Sequence, residues 1–366
     1  FLMPLRGVID SPDIPLNVSR SALTNNRTVR RIADYISKKI GDRLKSLYNE
    51  NREEYIRCWQ DIGTFVKFGS LKDEKFKKQV EDLIIFRTTY QPETETATAD
   101  QPKVEVQTES GDAWESVENQ QQEKKTTTSA DNYTTLAEYL ERNKERHENR
   151  VFYCTDPVSQ STYIELYKNQ GLEVLYLDSF IDNNYFIPFL EREHPEVKFS
   201  RVDSELDSNL LSEDKSQEIV DPTTNKTRSQ LIKEIFEQAI GNDKVNIKTQ
   251  AIKSDDPEST PPAIVIIPEA MRRLQEMTAL MQEKSLAFPE NYILSININH
   301  PLIENILELH RSSIVDASGK SSSQELITMM CQHIHDLALM AQQALDPEAM
   351  KKFIARSNQL LTHVSK

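Results

Sequence analysis

The chain has 366 residues, with 44 Lys and Arg, 58 Asp and Glu, and only 8 glycines. No two glycines carry the spacing of a G-x-G-x-x-G or G-x-x-x-x-G-K-[ST] phosphate loop, which excludes a self-contained nucleotide-binding enzyme of either type. A formal net charge of −14 argues against wholesale nucleic-acid binding.

The charge is uneven. Residues 1–90 hold 17 basic and 12 acidic side chains, leaving 27 and 46 for the rest, so a basic N-terminal stretch adjoins an acidic body. Cys58, Cys154 and Cys331 lie far apart without a C-x-x-C pair, the pattern of reduced thiols in a cytoplasmic protein. The longest apolar runs, such as Ala263–Ile267, fall far short of the ~18 residues that cross a bilayer, so no stable membrane insertion is expected. The first residue is Phe1, in what reads as a strand, and the chain is expected to be a fragment of a longer protein.

In chain order, Pro4, Pro12 and Pro15 exclude an early helix. From about 24 to 47, Val29, Ile32, Ile36, Ile40, Leu44 and Leu47 recur at helical spacing, with Arg27, Arg30, Arg31, Lys38 and Lys39 on other faces. Helices are predicted near 52–67 and 73–86. Residues 91–132 carry 10 acidic side chains, 3 lysines and 8 apolar residues, too few to offset the entropy of ordering, and are read as a disordered insertion. Between 133 and 204, strands at 151–154, 172–177 and 197–202 alternate with helices at 159–169 and 183–193. That pattern indicates a small parallel α/β unit. An acidic linker is predicted over 205–225.

The last part, 226–366, reads as α+β. A helix at 227–240 stops at Gly241, strands follow at 244–251, 262–267 and 292–298, and a helix at 268–282 lies between the last two. Two amphipathic helices, 322–345 and 347–364, close the chain, the second opened by a capping Asp346 with Pro347 at its first position.

The sharpest local pattern is VIDSPDIPLNVSRSALTNNRTVRRI, residues 8–32. Its prolines shape a loop that delivers Arg20 just before a basic helix, where a guanidinium fork and a helix N-terminus can meet an anion together. An arginine finger neutralising a terminal phosphate has this form; a surface Arg paired with Asp10 or Asp13 would as well.

Asp10-Ser11, Asp13, Pro15-Leu16-Asn17, Ser19-Arg20 and Leu23 resemble the middle-domain catalytic loop of the heat-shock-protein-90 chaperones, although Ser21 and Thr24 replace that family's Glu and Gln. Residues 152–202 are similar to the small α/β part of that middle domain. Pro261–Val265 and Tyr292–Pro301 are similar to C-terminal-domain strands, and the last two helices to the dimerisation helices. The C-terminal Val364-Ser365-Lys366 lacks the eukaryotic Met-Glu-Glu-Val-Asp tail, which points to a bacterial HtpG type, with a likeness to cyanobacterial forms.

The resemblance implies a multidomain α+β chain: a catalytic loop and helices over 1–90, the insertion 91–132, the α/β part 133–204, the linker 205–225 and a dimerisation domain 226–366. It implies that Arg20 contacts the terminal phosphate of ATP, held with Mg in an N-terminal domain outside this chain. The expected partners are a second copy, unfolded or partly folded clients, and other chaperones. Client contact is assigned to Met271, Leu274, Met277, Met281 and Phe288, since unbranched, polarizable Met adapts to varied apolar partners. The dimer interface is assigned to Leu326, Met330, Ile334, Leu337, Phe353, Ile354 and Leu361, whose stripes two helices alone cannot cover. No metal site is expected: in Cys331-Gln332-His333-Ile334-His335 only two side chains share a helix face. A non-catalytic dimeric scaffold, and a small enzyme with a ligand near Thr155, Asp156 and Asp178, stand as rivals.

Overall fold

A computed structural model of the chain describes residues 27–91, 133–212, 219–221, 226–274, 291–312, 322–342 and 345–365. The expectations for the loop carrying Arg20, for the insertion after Gln91, and for Met277, Met281 and Phe288 lie outside these residues.

Three helices open the described chain: α1 (Arg27–Glu50), α2 (Arg52–Lys72) and α3 (Glu74–Val80). The Asn51 side chain caps α2 by accepting from Glu54 N at 3.0 Å, while Asp73 accepts from Lys75 N and Phe76 N to start α3. Tyr55, Trp59, Val66, Phe76 and Val80 are buried in the first core, and Leu44 of α1 joins them.

The helix predicted over 73–86 ends early. After a 3-10 turn at Glu81–Leu83 the chain becomes strand β1 (Ile85–Thr88), which pairs antiparallel with β2 (Tyr133–Thr135) on one side and β4 (Val174–Tyr176) on the other. A four-residue apolar run fits helix or strand equally, and cross-strand pairing on both sides decides it. After β2 come α4 (Leu136–His147), β3 (Arg150–Cys154), α5 (Ser161–Asn169), β4, α6 (Ile187–Glu193) and β5 (Lys198–Arg201). The sheet order is β2-β1-β4-β3-β5, with β3 parallel to both β4 and β5. The three parallel strands are where the sequence places them; the two antiparallel strands β1 and β2 enlarge the sheet on one side.

Strand β3 is buried from Val151 to Cys154 because both of its faces are covered there. Val151 and Tyr153 face the first core, and Phe152 and Cys154 a second one shared with α5. The predicted helix at 183–193 begins as a π-helical turn, Asp182–Phe186, before α6.

Residues 205–212, read as linker, are packed. Leu206 and Leu210 are buried, and Leu211 bridges to Ile252 of the next body. Beyond the short pair β6 (Ile219–Asp221) and β7 (Lys226–Thr227) runs α7 (Arg228–Ile240). It stops where expected: Gly241 takes φ 60°, a left-handed cap that suits a residue without a Cβ.

The second sheet, order β8-β10-β9, comprises β8 (Val245–Gln250), β9 (Ala263–Ile266) and β10 (Tyr292–Asn297). Strand β9 shows the same two-sided burial as β3. Ala263 and Val265 face the C-terminal core, while Ile264 and Ile266 face the core of α5, Leu206 and Leu210. The two bodies therefore share apolar surface. A helix, α8, begins at 269 and is described to 274; α9 (Pro301–Ser312), not foreseen from the sequence, α10 (Ser322–Met340) and α11 (Pro347–Val364) complete the fold.

Candidate interaction surfaces

The terminal helices divide their apolar residues between two tasks. On α10, Ile327, Cys331, Ile334 and Ala338 recur at helical spacing and are buried against α7 and the second sheet. Ile334 is 2% exposed, so the expectation that it faces a second copy is corrected: its side chain is spent on the chain's own core. Leu326 and Met330 are half-buried, Met330 against that same core, and Leu337 is exposed.

Helix α11 is different. Asp346 caps it, accepting from Glu348 N and Ala349 N at 2.9 Å each. It docks on α10 through the stacked rings of His333 and Phe353, 4.7 Å apart, and through Arg356, which donates to Asp336 Oδ2 at 2.9 Å. Yet none of its residues is buried. Ile354, Leu361 and Val364 are 52%, 67% and 86% exposed, which leaves an apolar stripe facing outward along the helix.

The Cys-Gln-His-Ile-His run is occupied by packing. Burial pushes the Cys331 thiol up to about 12, and His335 Nε2 lies 2.6 Å from the Tyr292 hydroxyl. Burial is also the main cause holding His333 below the ordinary imidazole range, with Arg356 adding to it. Among the described residues no group of three or more His, Cys, Asp or Glu could hold a metal ion.

Of the client-contact residues, Met271 is half-buried against the C-terminal core and Leu274 is 55% exposed, one turn later on the same helix. The first turn of α8 also carries Glu269, Arg272 and Arg273, which reach back to Tyr153 and Glu191 of the first body. Nothing in the sequence pattern paired these groups.

Of the residues named for the rival enzyme reading, Asp156 and Asp178 are exposed and Thr155 is half-buried, and each has partners within the chain. Burial alone would raise the Asp156 carboxyl, but hydrogen bonds from Ser159 and Val158 outweigh it and hold the pKa below the usual range. Asp178 accepts from Arg87 Nη2 at 2.5 Å, and Gln160 Oε1 accepts from Thr155 N at 2.8 Å.

A profile of the Hsp90 protein family matches residues 1–107 and 122–364. The chain belongs to the Hsp90 protein family. The match leaves 108–121 uncovered, a narrower gap than the predicted insertion. The chaperone protein HtpG of Porphyromonas gingivalis is 29% identical over 355 residues, 96% of this chain and 45% of that protein. HtpG of Bacteroides fragilis is 30% identical over 313 residues, 84% of this chain and 40% of the other, and HtpG of Wolbachia pipientis 24% identical over 370 residues, 100% and 50%. The chain thus spans about half the length, or less, of these relatives. They give the cyanobacterial likeness no support. A solved middle domain of a Plasmodium falciparum heat shock protein aligns over 50% of this chain and 61% of its own, at 15% identity and TM-score 0.32. The α+β class is read from the two mixed sheets and the terminal helices. No helix among the described residues is long and apolar enough to cross a membrane.

Proposed function

We propose that these residues are the middle and C-terminal part of an ATP-dependent molecular chaperone that holds unfolded or partly folded clients as a homodimeric clamp in the cytoplasm. The outward apolar stripe of α11 carries this reading. A helix of 18 residues with none of them buried gains little from its own chain, and a second copy of the α10–α11 pair would complete a four-helix bundle. Leu326, Met330, Leu337, Phe353, Ile354 and Leu361 supply the contacts. A two-fold interface uses the same patch on both copies, so one exposed stripe suffices.

Hydrolysis would be divided between regions. ATP with Mg would bind in a region of the full-length protein beyond the part aligned here, and Arg20 would reach its terminal phosphate. A guanidinium there offers a charge-assisted fork to oxygens whose negative charge must be spread in the transition state. Client segments would contact Met271, Leu274, Met277, Met281 and Phe288, with other chaperones as further partners.

The test is Arg20→Ala in the full-length protein. ATP affinity should stay within about twofold while turnover falls by about a hundredfold or more, as when one donor to a developing charge is removed. Unchanged turnover would contradict the assignment and leave the dimeric scaffold in its place.

A further inference from the structure

We propose that Glu191, Tyr153 and the first turn of α8 form a polar latch that sets the direction in which the Met271–Leu274 face is held, with Arg273 as its releasable half; this rests on the reading of that face as the client contact. The helix leaves β9 through Ile267 and Pro268. Ile267 N donates to Asp203 O at 3.3 Å, and beyond it a short connection alone gives a helix no fixed direction.

Side chains supply that direction. Met271 packs against the C-terminal core, whereas its neighbours turn to the first body. Arg272, nearly fully buried, donates from Nη2 to the Tyr153 hydroxyl at 3.1 Å and is paired with Glu269. Arg273 donates from Nη1 to Glu191 Oε2 at 2.9 Å and from Nε to Glu269 Oε1 at 2.7 Å. One helical turn is therefore tied to β3 and α6 on one side and to the second sheet's core on the other.

The two arginines differ in what breaking them costs. Arg272 cannot leave without stranding a buried charge. Arg273 is 43% exposed, and on parting from Glu191 it keeps Glu269, while Glu191, 27% exposed, returns to water. Burial works against the Glu269 carboxyl, but the two arginines outweigh it and keep its pKa below the ordinary range, so it remains an anion for both. The latch can thus open at Glu191 and stay closed at Tyr153. Arg273 is a positioning residue for the client face.

The experiment is hydrogen exchange of the peptide spanning 267–274 in the full-length protein, with Glu191→Gln, Arg273→Gln and the double variant, all at surface positions. Each single change should speed exchange there by about 2- to 5-fold, the range for losing one exposed pair, without affecting β10 or α10. The double variant should exchange no faster than Arg273→Gln, which already removes the contact that Glu191→Gln removes and the one to Glu269 besides. Affinity for reduced, carboxymethylated lactalbumin should shift in the same direction in all three, and by the same amount in Arg273→Gln and the double variant. Unchanged exchange, or additive effects, would overturn the latch. Altered exchange with unchanged lactalbumin affinity would keep the latch and overturn the client-face reading.

Discussion

Lys67 Nζ lies 2.7 Å from Asp182 Oδ1, and both side chains are buried. The pair joins the C-terminal part of α2 to the π-helical turn that opens α6, and the Lys67 ammonium also sits over the rings of Phe86 and Phe186, 5.1 and 5.6 Å from their centroids. Ser179 Oγ donates to the other Asp182 oxygen at 2.6 Å, so the carboxylate is satisfied on both sides.

A buried ion pair is costly to halve. Asp182→Asn removes the anion and leaves a buried ammonium, so it should destabilise the chain by about 3–5 kcal/mol. Replacing both partners, Lys67→Met with Asp182→Leu, should cost less than that single change. Denaturant midpoints at constant slope test the comparison. An Asp182→Asn loss below about 1 kcal/mol would show that water reaches the pair.

Acid should weaken the fold. Burial is the main cause holding His147, His300, His310 and His333 below the ordinary imidazole value of 6.5. His147 shows why: its Nδ1 lies 2.9 Å from Arg150 O, its Nε2 is buried without a partner, and Phe152 packs 4.9 Å away. The unfolded chain binds protons at these sites before the folded one does, so stability rises with pH there. It is complete above about pH 6.5 and is lost as pH falls through the lowered folded values. The thermal midpoint should be flat from about pH 8 to 7 and drop below 6.5, and His147→Gln should reduce that drop. A midpoint that rises on acidification would reverse the sign.

The segment between Gln91 and Tyr133 should be dispensable for folding. Arg87 faces Tyr133 in antiparallel register, so β1 and β2 are the two arms of a hairpin and the ends to be joined are adjacent. A four-residue turn in place of residues 92–132 shortens the closed loop by about three doublings, worth about 2 kcal/mol at most in stability. Urea unfolding should give equal or higher stability for the shortened chain. A loss above about 2 kcal/mol would mean that the excised residues pack on the body.

Legibility in the sequence followed how local each signal was. The stripe on α1, the Gly241 stop, the Asp346-Pro347 start and the three parallel strands depend on neighbours within one or two turns, and they appear where expected. Strand β1 was lost because Ile84-Ile85-Phe86 suits a helix end until its partners are known, and its β2 partner for Ile85, Thr135, lies 50 positions on. Leu206 and Leu210 read as linker because their neighbours are acidic and polar, yet they fill the core between the bodies. Ile334 matched the outward stripe by spacing, but spacing cannot tell which of two apolar faces meets the chain's own sheet. The latch joins residues 82 positions apart and has no local signature at all. Arg20 lies outside the described residues, and the role expected of it rests on the family motif alone.

Light scattering of this chain over a dilution series tests the central claim most directly. The account predicts a mass about twice 42.2 kDa, falling to the single-chain value when Ile354 or Leu361 becomes Asp, with the far-ultraviolet spectrum unchanged. A mass of 42.2 kDa at every concentration would contradict the dimer and, with it, the clamp.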